Sequence, residues 1–338
     1  MNHKTDDFTP PKKIPFQIVQ DALLDTETTF APLYLYRFSD LEAEEIRDLE
    51  RIWPRIPVWR RKALMEDLEQ LFGDDYLLSF ESVCRLGLRD PQPEVRFLSV
   101  RSLFDYDVAD LIPEFLRLMT EDEHADVRAA AASALGKYVY EGEIEELDPQ
   151  LLRRIEDALL DVLQGSDSMQ VRRRALEALG FSSRKEIPAL IEEAFDTSHA
   201  DWVVSALFAM GRSYDKRWRE PVLEMLDHDS PDIRLEAARA AGEIELSEAR
   251  EALIEMLEDD DINVRMAASW SLSQIGGSGV QQALTRQMEE SDDPEEIDHL
   301  ENAIDNLLFT EELSFFDIMD IPEDGLELDF DESEDLFD

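Results

Sequence analysis

Large apolar residues recur along the chain at a near-constant step. Val95, Val127, Val171, Trp202, Ile233 and Val264 are separated by 32, 44, 31, 31 and 31 residues. In every copy the fourth and seventh positions after this anchor are small: Ser99 and Ser102, Ala131 and Ala134, Ala175 and Ala178, Ala206 and Ala209, Ala237 and Ala240, Ala268 and Ser271. Offsets of zero, four and seven share one face of an α-helix. The pattern therefore predicts a helix with one large apolar residue followed by a strip that another helix can approach closely. The stretch "DVRAAAASALG", Asp126 to Gly136, shows why a partner is required. Alanine favours the helical backbone, yet its methyl removes too little apolar area from water to hold a lone helix in place.

A second amphipathic segment follows each of these helices, as in "LIPEFLRLM", "LLRRIEDALLDVL" and "IPALIEEAF". Pro113, Pro188 and Pro221 lie near the start of such segments, where a missing N–H costs nothing. Gly136, Gly180, Gly211 and Gly242 fall nine residues after their anchors, where a left-handed cap is expected to end the first helix. Each unit reads as an antiparallel helix pair, and the pairs stack because none can bury its apolar face alone.

The flanks follow the same logic less regularly. Residues 1–89 lack the repeat but read as helical, and are expected to cap the first pair. "SDLE", Ser39 to Glu42, predicts a capping box for a helix to about Trp53. Pro57 opens another through Phe72, and "DDYLLSFESVCRLGL" supplies a third. The repeat array spans residues 90–291, residues 292–310 supply a closing helix, and residues 311–338 form an acidic tail expected to be disordered. The excess of the 44-residue step lies in "KYVYEGEIEELDPQ", Lys137 to Gln150, read as a loop or an extra helical turn on one face. Tyr138 and Tyr140 in this insertion, and Phe315, Phe316, Phe330 and Phe337 in the tail, are the candidate partner-binding residues.

The string D-x-x-x-x-V-R-x-x-A-x-x-A-L-G, as it stands at Asp122 to Gly136, resembles the short HEAT-like repeats of the bacterial phycobilin-lyase type, in weaker form over residues 90 to about 290. The resemblance implies an all-α fold, an α-α superhelical solenoid of about seven stacked helix pairs over roughly residues 10–310. It also implies an inter-repeat ladder formed by Arg96, Arg128, Arg172, Arg234 and Arg265 with acids such as Asp126 and Asp232, which Val203 interrupts. As to activity it leaves a chromophore-handling, phycobilin-lyase-like role open. Deoxyhypusine hydroxylases, which share the architecture, hold iron through recurring His-Glu dipeptides; this sequence has no such dipeptide, and that reading is set aside.

Charge narrows the partners. The chain carries 80 acidic and 33 basic residues, a formal net charge of -47, which repels nucleic acid and anionic lipid. No lysine or arginine follows Arg286, while residues 287–338 hold 22 acids in 52 positions, interleaved with aromatics. "RIWPRIPVWRRK", Arg51 to Lys62, is a local basic exception, read as tryptophans packed between helices with snorkelling arginines. The five histidines are scattered, and "DIPEDGLELDFDE" only superficially matches a calcium loop. Cys84 reads as a small buried hydrophobe. No catalytic, cofactor or metal residues are expected. No signal peptide or membrane span is read, which favours a cytoplasmic location. The resulting expectation is a non-enzymatic protein-interaction scaffold, or chaperone-like adaptor, for a basic protein partner.

Overall fold

A computed structural model of the chain describes residues 14–106 and 108–318. All regular structure among them is helical. The chain divides into two compact units, residues 1–213 and 214–338. The first holds α1 (Phe16–Leu24), α2 (Ala43–Ile52), α3 (Val58–Asp74), α4 (Glu81–Gly87), α5 (Pro93–Leu103), α6 (Ile112–Glu121), α7 (Ala125–Glu143), α8 (Pro149–Gln164), α9 (Met169–Leu179), α10 (Ile187–Phe195) and α11 (Ala200–Arg212). The second holds α12 (Arg219–Met225), α13 (Pro231–Glu243), α14 (Arg250–Glu255), α15 (Ile262–Ile275), α16 (Val280–Glu290) and α17 (Pro294–Ile318).

Each unit is a stack of helix pairs, the α-α solenoid class. First helices lie directly against first helices, α5 on α7, α7 on α9 and α9 on α11 in one unit, α13 on α15 and α15 on α17 in the other. Second helices pack on the first helix of the following pair, as α6 does on α7 and α14 on α15. The anchors Val95, Val127, Val171, Ile233 and Val264 are buried, as are the alanines four and seven residues beyond them. Helix starts follow local chemistry. The Asp148 carboxylate accepts the N–H groups of Gln150 and Leu151 to open α8, and Asp261 accepts that of Asn263 to open α15.

The glycines behave differently from the expectation. Gly136, Gly211 and Gly242 lie inside helices and Gly180 caps α9 with a right-handed backbone, so none is a left-handed cap. Their role is contact between helices. A Cβ on Gly136 would stand 3.1 Å from the Ala178 Cα, and one on Gly180 would stand 2.9 Å from the Ala209 Cα and carbonyl oxygen. The left-handed turn residues after α7 and α13 are instead Glu145 and Glu245.

Three further boundaries move. Glu42 with Glu45 makes the capping box of α2. Ser39 is occupied elsewhere, its hydroxyl receiving the Ser79 N–H and donating to Asp40. Of the loop and the extra helical turn expected for the insertion, the helix is found: α7 runs on to Glu143, 19 residues in all. The closing helix α17 continues to Ile318, so residues 311–318, read as the start of the tail, belong to it; the rest of the expected tail, residues 319–338, lies outside the described residues.

Candidate functional site

The arginine after each anchor lies between successive pairs. Arg96 forks its Nε and Nη2 onto the Asp122 carboxylate at 2.7 and 2.8 Å, while its Nη1 donates to the Asp90 carbonyl at 2.8 Å. Arg128 repeats this with the Asp167 carboxylate and the Asp122 carbonyl, and Arg234 with Asp259 and the His228 carbonyl. Arg265 does so with Glu296 and the Asp259 carbonyl. Each rung thus ties a first helix to its own entry loop and to the start of the next pair. A bidentate guanidinium–carboxylate contact fixes both distance and orientation.

The acids differ from those expected. Asp126 accepts a hydrogen bond from the Gln170 side chain, and the Arg234 carboxylate partner is Asp259 rather than Asp232. The working acids sit in the loop before the next first helix or, for Glu296, in the first turn of α17. There a carboxylate both receives the preceding arginine and accepts a local N–H, as Asp122 does from His124 and Asp259 from Asp261. Arginine hydrogen bonding holds the Asp167, Asp259 and Glu296 carboxyls below their ordinary range.

One rung lies outside the repeat pattern. Arg61 on α3 makes an ion pair with Asp90 at 2.8 Å and donates to the carbonyls of Trp53 and Ile56. The Asp90 carboxylate also receives the Trp53 indole N–H at 2.7 Å. α3 packs on α5 as a first helix would, so α3 and α4 form a degenerate pair. The small-residue strip hides it, because Leu64 and Asp67 occupy the positions where other copies carry serine or alanine. The spacing of Arg61 from Asp90, 29 residues against 26 for Arg96 and Asp122, was the available signal.

Arg172 is the exception among the predicted ladder residues. Its Nε donates to the Leu163 carbonyl at 2.7 Å, and its guanidinium carbon stands 5.5 Å from the Trp202 ring centroid. No carboxylate among the described residues lies within ion-pair distance of it.

The candidate contact residues separate sharply. Tyr138 is 1% exposed, and its hydroxyl donates to the Val108 carbonyl at 3.0 Å, so it is a core residue and not a surface for a partner. The reason is periodicity: it lies eleven residues after Val127, which continues the buried face of α7. Tyr140 is exposed and rests against Phe181, whose ring also lies 4.7 Å from the Arg212 guanidinium carbon. Phe315 and Phe316 lie in the final turns of α17; Phe330, Phe337 and the calcium-loop-like segment lie outside the described residues. In the basic N-terminal stretch Trp53, Arg60 and Arg61 are buried, whereas Trp59 is 55% exposed beneath Arg60.

Among the described residues no group of histidine, cysteine or carboxylate side chains could hold a metal ion, and no helix is long and apolar enough to cross a membrane. Cys84 is fully buried, and burial pushes its thiol up to about 12. A thiolate is the reactive form, so the folded protein is expected to resist iodoacetamide at pH 8 and to react fully in denaturant. Stoichiometric labelling of the native chain within minutes contradicts this.

An exposed acidic surface lies in the second unit. Glu289, Glu290, Asp292, Asp293 and Glu295 are exposed around the α16–α17 junction, and Asp298, Glu301 and Asp305 continue along α17. Leu308 and Phe309 then stand 41% and 61% exposed on the same helix.

Stacked antiparallel pairs joined by an arginine ladder define an α-helical repeat protein. A family model of HEAT repeats matches residues 85–157 and 219–304, so HEAT repeats are detected in each of the two units. No curated protein matches it significantly. Among solved structures, YibA of Escherichia coli is 18% identical over 84% of this chain and 99% of its own, with a TM-score of 0.43. The CpcE–CpcF complex of phycocyanin lyase from Nostoc sp. PCC7120 is 18% identical over 67% of this chain and 94% of that one, with a TM-score of 0.46. Importin beta is 14% identical over 90% of this chain and 45% of its own length, with a TM-score of 0.42.

Proposed function

We propose that the chain is a protein-interaction scaffold whose partner is a basic protein. The observation that carries this reading is the acidic ridge from Glu289 along α17, which ends in exposed Leu308 and Phe309. Such a surface attracts cations at long range and offers an apolar contact at short range. The internal ion pairs leave the net charge unchanged: Arg61, Arg96, Arg128, Arg234 and Arg265 each face a carboxylate between successive helix pairs, so the excess acids remain uncompensated by these cations. The acidic, aromatic segment beyond residue 318 extends the same chemistry.

Full-length protein on a solid support is expected to retain proteins of net positive charge and release them as salt rises from about 0.05 to 0.5 M, where the screening length falls well below 10 Å. Exchanging Glu289, Glu290, Asp292 and Asp293 for the corresponding amides should reduce that retention. Partners that are neutral or acidic, held equally well in high salt, overturn the reading.

A further inference from the structure

The missing carboxylate at Arg172 coincides with a cavity of about 330 Å³ between α8, α9, α10 and α11 of the first unit. Leu163, Leu190 and Trp202 form its apolar wall, and Arg172 and Thr197 contribute polar groups. The local sequence shows how it arises. "EDEHADVR", Glu121 to Arg128, and "DTSHADWV", Asp196 to Val203, align without a gap and share His-Ala-Asp. Asp122 in the first receives Arg96, and Thr197 stands at that position in the second. Its hydroxyl donates to the Ala194 carbonyl, leaving the preceding arginine without an acid. In the same copy tryptophan replaces the valine anchor and enlarges the apolar wall.

We propose that this cavity is a binding site for a carboxylate carried beside a large apolar side chain, as in a peptide that joins aspartate to phenylalanine. The two terminal nitrogens of Arg172 have no hydrogen-bond partner among the described residues, and its Nε is anchored by Leu163. A guanidinium so held presents a planar fork that matches a carboxylate, the same contact made by four other ladder arginines in this chain. Trp202 stacks near the cation and offers a face to an aromatic neighbour of the acid. A departure from an otherwise consistent repeat is where function is expected to reside.

The apolar wall is essential to the choice of ligand. The net charge of -47 opposes any free anion, and Glu193 is exposed at the cavity's edge. A small inorganic anion gains only the ion pair, whereas an acidic peptide with an aromatic residue adds apolar burial. The chain's own residues 326–337, "LELDFDESEDLF", have this composition, and so could a segment of another protein. The site is independent of the basic partner proposed above.

The test is fluorescence anisotropy with the full chain and a labelled peptide of the sequence of residues 326–337. Saturable binding is expected, weakened about tenfold or more by Arg172→Gln and by Thr197→Asp, and abolished when the peptide's acids are converted to amides. Thr197→Asp supplies the missing rung, so its melting temperature should match or exceed wild type while the site is filled from within. Glu193→Gln should tighten binding. A full-chain variant with Asp329, Phe330 and Asp331 replaced by Asn, Ala and Asn distinguishes the source. Tighter peptide binding than wild type assigns the ligand to the chain's own segment, and equal binding assigns it to another protein. Affinity unchanged by both Arg172→Gln and Thr197→Asp, or no saturable binding to either the wild type or the Asp329 triple variant, overturns the proposal.

Discussion

Replacing Arg96 with alanine is expected to destabilise the first unit by about 3–5 kcal/mol, the cost of breaking a buried pair from one side. Arg96 is 8% exposed, and its removal strands the Asp122 carboxylate, whose side chain is 4% exposed. It also leaves the Asp90 carbonyl without its donor. The double replacement Arg96→Met with Asp122→Leu removes both charges together and should recover most of the loss. Urea unfolding of the three variants measures this. A single-site effect below about 1 kcal/mol, the value of an exposed surface pair, would show that the ladder is ornamental.

The same rung has a defined pH dependence. Burial raises the Asp122 carboxyl, but hydrogen bonds from Arg96 and the His124 N–H outweigh it, and the group titrates below its ordinary range. A folded pKa lower than the unfolded value means that the contribution is fully present above the unfolded value of about 4. It is lost as pH falls through the folded value. The stability difference between wild type and Arg96→Ala should therefore be largest near neutrality and shrink below about pH 4.

Gly180→Ala and Gly73→Ala are expected to act in opposite directions. A Cβ at Gly180 meets the Ala209 backbone at 2.9 Å on two atoms. Neither side can yield without moving α9 from α11, so a loss of about 1–3 kcal/mol is expected from overpacking. At Gly73, near the end of α3, nothing lies within 4 Å of the added methyl, and alanine's helical preference should stabilise by about 0.5–1 kcal/mol. Thermal melts of the two variants decide it. Equal shifts would mean that the glycines beyond the anchors are tolerated helix breakers rather than contact points.

These glycines mark where reading the chain by local rules stops. Nine residues after an anchor, a glycine is compatible with a left-handed cap or with close helix contact, and both produce the same string. Only the position of Ala178 or Ala209 on the neighbouring helix distinguishes them. The ladder is similar. Arg96, Arg128, Arg234 and Arg265 stood out by their fixed offset, but the choice among nearby acids depended on loop geometry that brings Asp122 or Asp259 to the guanidinium and leaves Asp126 and Asp232 aside. The offset of eleven from Val127 puts Tyr138 on the buried face of α7 only because the insertion continues the helix.

Periodicity determined the architecture by itself. A large anchor with small residues four and seven positions on can bury itself only against another helix, and six copies of that arrangement require a stack. Charge, too, was complete in composition, since pairing inside the fold does not change the total of -47. Tertiary structure alone decided which carboxylate meets which arginine, that α3 and Arg61 form an unmarked rung, and that Arg172 is left facing a cavity with none. Those are contacts between residues far apart in sequence. Their distances depend on how one helix crosses the next, which the chemistry of any single segment does not contain.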